Sequence, residues 1–306
     1  MYDVIVIGGG PAGLAASIYF ARQKFHFALF AGMLGGQTLL SSEIDNYLGF
    51  QLIDGASLVK KFREHLMEYA EEIELHEGEN VGRVEKANAH FRVTTKKGSY
   101  EARTVLIATG EEHRKLNVPG EKEFYGKGVT YCATCDAPLF RGKEVAVVGG
   151  GNSAMESALL LTKYATRVHI INLNASLMGD AVVMKRVLSN SLITVHSETK
   201  TTKILGDAFV TGLEYEKKGM LDVLQVQGVF IEIGLIPVSG FIDIVRKDKW
   251  GQIEVDGRNQ TSVEGIWAAG DVTNVTEKQI AVAVGEGSKA SLEIIKWLQQ
   301  HEEIPA

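Results

Sequence analysis

Residues 4–22 read VIVIGGGPAGLAASIYFAR: a short apolar strand, a glycine-rich turn, then a run with helical period. Inside it, Gly8-x-Gly10-x-x-Gly13 has the spacing of a dinucleotide fingerprint. Gly8 permits the tight turn, Gly10 lets backbone approach a pyrophosphate, and Gly13 lets strand and helix pack closely. The helix that follows offers free N–H groups and its positive dipole end to phosphate. The pattern recurs at residues 145–163, VAVVGGGNSAMESALLLTK, as Gly149-x-Gly151-x-x-Ala154. Alanine is allowed in the third place. Two copies so far apart mark two related nucleotide-binding units, not a short-period solenoid.

Around these copies the chain alternates strand and helix signals. An apolar strand is expected at 25–30 and a glycine-rich loop at 32–36. A helix is expected from Ser57, as its N-cap, to Ala70. Short strands follow over 79–108, ending in TVLIATG. After the second copy, residues 203–233 return to β-type patterning, 253–271 hold short strands ending in GIWAAGD, and a helix is expected from Lys278 to Gln300. The second unit therefore interrupts the first. The fold class expected is α/β, with two Rossmann-like nucleotide-binding domains of three-layer ββα type. The first domain spans 1–113 and 239–306, and the inserted one spans 114–238.

Length and charge narrow the function. A chain of 306 residues exceeds one comfortable core. A net charge of −6 argues against nucleic acid as the main partner. The N-terminus carries no signal-peptide or membrane pattern, so the expectation is a cytoplasmic protein with no membrane association.

The only cysteines are Cys132 and Cys135, in TYCATCDAP (130–138). A structural disulfide needs an oxidising compartment. A zinc site needs about four ligands, and the eight histidines are scattered. A redox dithiol needs only this pair and an electron source, and it is the reading favoured. Asp136, next to Cys135, suits a proton donor, since disulfide reduction takes two electrons and two protons while a hydride brings only one proton. Its plainer reading is a solvated or capping carboxylate. Asp271, in AAGDV, stands where open α/β sheets bind ligands, or else in an ordinary turn.

Both nucleotide units lack the usual ribose acid. Phe30 and Ala31 occupy the first such position, leaving Gln37 or the 32–36 loop to make that contact. The second strand ends in Asn172, Leu173 and Asn174. Without a cation there, a 2′-phosphate is disfavoured, while Asn172 can hydrogen-bond a 2′-hydroxyl. NADH is therefore favoured over NADPH. A unit that no longer binds nicotinamide stays open.

Taken together, these residues resemble the low-molecular-weight thioredoxin reductases and the C-terminal reductase part of the alkyl hydroperoxide reductase flavoprotein subunit. The resemblance runs through GGGPAG (8–13), GGQ (35–37), EIDNYLGF (43–50), IATG (107–110), CATCD (132–136), GGGNSA (149–154), GLIP (234–237), TSVEGIWAAGDV (261–272) and KQIAVAVGEGSKAS (278–291). It implies FAD in the first unit. Gly8, Gly10, Pro11, Ala12 and Gly13 would meet its pyrophosphate. Gly36, Gln37 and Asn46 would lie near flavin and ribityl, and Val81 near adenine. Ala108, Thr109, Gly110, Gly270, Asp271, Lys278, Gln279 and Ile280 would complete the site, with Asp271 on the ribityl chain. Gly149, Gly151, Asn152, Ser153, Ala154 and Asn172 would hold the nicotinamide nucleotide.

The resemblance also assigns Cys135 as the sulfur nearest the flavin, Cys132 as the interchange thiol and Asp136 as the proton donor. Electrons would pass from NADH through FAD and the dithiol to a thioredoxin-, glutaredoxin- or peroxiredoxin-system protein. The family implies a homodimer and alternates two domain orientations, with hinges expected at 111–116 and 235–240. Two features depart from it. The basic HRR-type motif of NADPH-using members is replaced at 172–174. The peroxide-reductase branch carries an N-terminal pair of thioredoxin-like folds, whereas this sequence starts at the FAD strand, so a separate dithiol protein is expected to accept the electrons. A ferredoxin or another non-nicotinamide donor is the alternative electron source.

Overall fold

A computed structural model describes residues 1–41, 44 and 46–301, with the backbone alone for Leu40 and Cys135. The chain divides into two compact units: Met1–Glu112 with Ile236–Ala306, and His113–Leu235. The division points fall inside the two stretches expected as hinges.

The first unit contains β1 (Tyr2–Ile7), α1 (Pro11–Arg22), β2 (Phe27–Ala31), α2 (Gly55–Met67), β3 (Ile73–Glu77), β4 (Val81–Ala87), β5 (His90–Thr95) and β6 (Ser99–Ile107). Strand β7 (Glu111–His113) leads out of it. The second unit contains β8 (Val129–Thr130), α3 (Ala133–Asp136), β9 (Glu144–Val148), α4 (Asn152–Leu161), β10 (Arg167–Ile171), α5 (Ala181–Leu188) and β11 (Ile193–His196). It continues with β12 (Thr199–Gly206), β13 (Val210–Lys217), β14 (Met220–Gln225) and β15 (Gly228–Ile231). Strand β16 (Leu235–Pro237) leads back and pairs with β7, so the two crossings run as one ribbon. The first unit ends with β17 (Ile266–Ala268) and α6 (Ile280–Gln300).

Each unit has the same three layers. In the first, β3-β2-β1-β6 run parallel, β17 joins β6 in parallel, and β4 and β5 continue as an antiparallel meander. Side chains alternate across a strand. Val4 and Val6 therefore pack toward α1 and α6, while Ile5 and Ile7 pack toward Val84, Phe91 and Val93 of the meander. Burial on both faces explains why VIVI is unbroken by polar residues. In the second unit the sheet order is β11-β10-β9-β15-β8, all parallel. Val145 and Val147 face α4, and Ala146 and Val148 face the β12–β14 meander. Among the described residues no helix is long and apolar enough to cross a membrane.

Three element boundaries differ from the sequence reading. The N-cap expected at Ser57 is Asp54, whose carboxylate accepts the Ser57 N–H at 2.8 Å, and the helix ends at Met67. Gly55 opens it because a Cβ there would lie 1.9 Å from the Thr38 carbonyl oxygen. The second strand starts at Phe27, since the Phe25 N–H is drawn to the Phe20 carbonyl and closes α1. The last helix starts at Ile280, because Lys278 turns its Nζ onto the Asp271 and Thr273 carbonyls at 2.8 and 2.7 Å. Within 253–271 only β17 is a full strand, and the rest is turns and single bridges.

Helices α1 and α6 meet at Gly287, where a Cβ would stand 2.0 Å from the Ala12 carbonyl oxygen. Gly287→Ala must push the helices apart. The expected cost is about 1–3 kcal/mol, read as a lower urea midpoint without a changed slope.

Candidate active site

The first glycine turn is sterically determined. Gly8 has φ +118°, and a Cβ on it would sit 2.2 Å from the Ala108 carbonyl oxygen. A Cβ on Gly13 would sit 1.9 Å from the Gly8 carbonyl oxygen. Gly10 is different: its φ is −75° and its Cβ would meet nothing within 4 Å. That open space lies at the N-terminus of α1, which has Pro11 in its first turn and no side-chain cap. The first-turn N–H groups thus stay available to an anion. A pyrophosphate fits this cradle.

The other candidates of this unit converge on the same end of the sheet. Ala108 N–H bonds the Ile7 carbonyl at 2.7 Å, which holds Ala108–Gly110 beside the turn. Gly35 N–H bonds the Gly9 carbonyl at 2.7 Å, and a Cβ on Gly36 would lie 3.3 Å from Gly10 Cα. Gln37 Nε2 donates to the Glu111 carbonyl at 2.8 Å, and Asn46 Nδ2 donates to Gln279 Oε1 at 3.0 Å. Gly270 lies against Ala12, and its N–H bonds Glu286 Oε2 at 3.0 Å. Val81 opens β4 next to Asn80, whose side chain faces Gly32 just beyond β2.

Burial pushes the Asp271 carboxyl above its usual range; Lys278 opposes this and Glu286 adds to it. Burial raises Glu111 likewise, against Lys278 and a hydrogen bond with Gln252. Glu111 and Glu286 escaped the sequence reading. The signal for Glu111 was an acid directly after Gly110, at a strand's ligand-binding end.

In the second unit, Gly149 has φ +143°, and its Cβ would stand 2.2 Å from the Glu232 carbonyl oxygen. The third position tolerates Ala154, which is fully buried. Gly151 and Ser153 are exposed at the start of α4, which also lacks a side-chain cap. Asn172 is buried at 1% exposure. Its amide donates to the Asn174 carbonyl at 2.9 Å and accepts the Asn174 N–H at 3.2 Å. One of its two amide donors and one of its two acceptor sites are engaged on its own loop, with Oδ1 aimed at Gly150. Asn152 Oδ1 accepts the Asp180 N–H at 2.8 Å, and the Met178 N–H bonds the Gly150 carbonyl at 2.8 Å. The loop after β10 is thereby tied onto the glycine turn.

The dithiol segment leaves β8 at the carboxyl end of the same sheet. Cys132 is half-buried and disulfide-bonded. The Cys135 side chain lies outside the described residues, and its backbone is in α3. Thr130 organises the segment: its hydroxyl accepts the Cys132 N–H at 3.1 Å and donates to Asp136 Oδ2. The Asp136 N–H returns to the Cys132 carbonyl at 3.2 Å. Asp136 is thus a half-buried carboxylate tied to Thr130. Thr130 carried no signal in sequence, because its role depends on the chain folding back. Tyr131 is buried under Lys115, with the Lys115 ammonium 3.9 Å above its ring and its hydroxyl on Glu121.

Two nucleotide-type cradles and one ordered CxxC segment define a flavin- and nicotinamide-linked disulfide oxidoreductase. Residues 2–287 match the pyridine nucleotide-disulphide oxidoreductase family. The chain belongs to that family, among the FAD oxidoreductases that resemble thioredoxin reductase. It is 41% identical to the F subunit of alkyl hydroperoxide reductase from Pseudomonas putida over 296 residues, covering 95% of this chain and 57% of that one. It thus spans a little over half the length of the curated relatives it matches. Lactococcus lactis thioredoxin reductase superposes with a TM-score of 0.81 at 35% identity, covering 98% of this chain and 100% of that one. The thioredoxin reductase of T. acidophilum gives 0.78 at 38% identity, covering 96% and 98%.

Because Gly10 has room for a side chain in an allowed conformation, Gly10→Val is expected to fold normally and fill the cradle. The purified variant should lose most of its bound flavin, read as the ratio of visible to ultraviolet absorbance, with an unchanged far-ultraviolet circular dichroism spectrum.

Proposed function

We propose that this chain passes electrons from a reduced nicotinamide, NADH in preference to NADPH, to the Cys132–Cys135 pair and on to a thioredoxin-, glutaredoxin- or peroxiredoxin-system protein. The observation that carries this reading is the disulfide-bonded Cys132 with Asp136 held beside it by Thr130. FAD, when bound, supplies the two-electron chemistry that links a nicotinamide to a disulfide. Gly8, Gly10 and the α1 N-terminus would hold its pyrophosphate, and Asp271 and Lys278 would lie toward its ribityl chain.

In the reduced pair, the Cys132 thiolate is assigned the attack on the partner's disulfide. A mixed disulfide forms, and the partner's leaving sulfur takes a proton. Cys135 then resolves the mixed disulfide and restores the Cys132–Cys135 bond. Asp136 is suited to hold the proton because Thr130 fixes its carboxyl near the Cys132 backbone. The absence of a cation at 172–174 supports NADH, since a 2′-phosphate calls for a charged partner. By resemblance, the working unit is a cytoplasmic homodimer.

One set of observations favours a second reading, in which a ferredoxin or another non-nicotinamide carrier is the donor. Asn172 is occupied by Asn174, and the loop after β10 is tied to Gly150 and Asn152. Leu173, Met178 and Val182 stand exposed on and just after that loop.

An anaerobic titration followed at the flavin absorbance separates the two. Stoichiometric bleaching by NADH, with NADPH weaker, is expected. Bleaching by dithionite but by neither nucleotide would overturn nicotinamide use and favour the second reading. Cys132→Ser is expected to keep flavin bleaching and lose reduction of a thioredoxin-like partner; unchanged partner reduction would reject the role of Cys132.

A further inference from the structure

A carboxylic acid stands in the middle of the apolar run VFIEIGLIP (229–237), where nothing in the nucleotide or dithiol motifs asks for one. It is Glu232. Strand β15 pairs with β8 in parallel, with Val229 opposite Val129 and Phe230 opposite Thr130. Two residues beyond the last pair, at the carboxyl ends of these neighbouring strands, stand Glu232 and Cys132. Adjacent strands lie about 4.8 Å apart, and the Ala133 amide reaches the Glu232 carboxyl, so the acid lies against the segment that Cys132 opens.

The carboxyl is held there. Its backbone N–H bonds the Val148 carbonyl at 2.8 Å, which anchors it beside the second glycine turn. Ser157, on α4, donates its hydroxyl to Glu232 Oε1 at 2.7 Å. The backbone N–H of Ala133, the residue after Cys132, also donates to the carboxyl.

We propose that Glu232 is a positioning residue for the dithiol: its carboxyl, fixed between Ser157 and the Ala133 amide, sets the charge beside Cys132 and so controls how readily that thiol ionises. The claim rests on the dithiol reading above.

The charged groups around Glu232 leave it free to titrate. Asp136, on α3, is engaged by Thr130. Glu156, on α4, is exposed, and the turn at 149–151 is all glycine. Among the described residues no charged side chain contributes to its titration. Burial pushes the Glu232 carboxyl up to about 7, against the opposing hydrogen bonds from Ser157 and Ala133. Below that pH Glu232 is neutral and leaves the Cys132 thiol unperturbed. Above it the carboxylate repels a thiolate and raises the Cys132 pKa. The dithiol is then less nucleophilic toward a partner as pH rises than an isolated cysteine would be.

The test reads the thiol directly, without donor or partner. The full-length flavin-loaded protein with Cys135→Ser, so that one thiol reports, is reduced, desalted and alkylated anaerobically with iodoacetamide from pH 5.5 to 8.5. Glu232→Gln in that background is expected to match the parent below about pH 6. At pH 8 it should react faster, by up to roughly tenfold, as one pKa unit of relief allows. Ser157→Ala removes a donor to the ionised carboxyl, so the pH at which the parent departs from the Glu232→Gln curve should move upward. Rates that differ by a constant factor at all pH, or that coincide throughout, would overturn the proposal, as would an unmoved departure point in Ser157→Ala. Failure of this experiment leaves the dithiol reading standing, and failure of partner reduction would not alter the alkylation curves.

Discussion

The structure depends on one close approach made twice: a glycine turn after a buried parallel strand, pressed against the end of the neighbouring strand with no room for a side chain. At the first turn, a Cβ on Gly8 would lie 2.2 Å from the Ala108 carbonyl oxygen. At the second, the Gly149 position has 2.2 Å to the Glu232 carbonyl. No side chain fits either gap. The same bareness brings the helix N-terminus to the sheet edge with its N–H groups unused, which is what a pyrophosphate requires. Packing and ligand recognition thus share one cause. The helix crossing at Gly287 extends it, since α6 closes over α1 at the backbone of Ala12.

The two cradles have the same frame and different chemistry. In the first, Gly10 opens onto empty space, and polar groups from separate stretches are bonded in pairs, Gln37 to the Glu111 carbonyl and Asn46 to Gln279, with Lys278 turned onto the Asp271 carbonyl. In the second, the loop after β10 bonds back onto the turn through Gly150, Asn152 and Asn172. This contrast follows from residue choice at the strand end. An acid or arginine there would reach outward to a ribose or its phosphate. Asparagine is short enough to satisfy itself on its own loop, forming an Asx-type turn.

Around the dithiol, hydrogen bonds do what covalent chemistry alone cannot. Thr130 joins the Cys132 backbone to the Asp136 carboxyl through one hydroxyl. Glu232 enters from the neighbouring strand, where a charge is costly unless it is neutralised or paired. Its presence inside an apolar run is therefore informative: an ordinary core position would carry valine or isoleucine, as residues 229, 231 and 233 do.

The glycine spacings and their apolar strands were sufficient to read two nucleotide-type units, one interrupting the other, because steric exclusion at a turn is a local property of the chain. The CxxC pair and Asp136 stand out as candidates for the same reason, as residues adjacent in sequence. The ends of α2 and α6 were not, since Asp54 and Lys278 act through contacts with Ser57 and with the Asp271 and Thr273 carbonyls that only folding brings into reach. Nor was the occupation of Asn172 by Asn174, or the place of Glu111 and Glu286 around Asp271. Glu232 shows the division most clearly. Its sequence marks it as odd, and only the pairing of β15 with β8 brings it to the Ala133 amide after Cys132, because strand pairing joins positions about a hundred residues apart through backbone hydrogen bonds that carry no trace in side-chain identity.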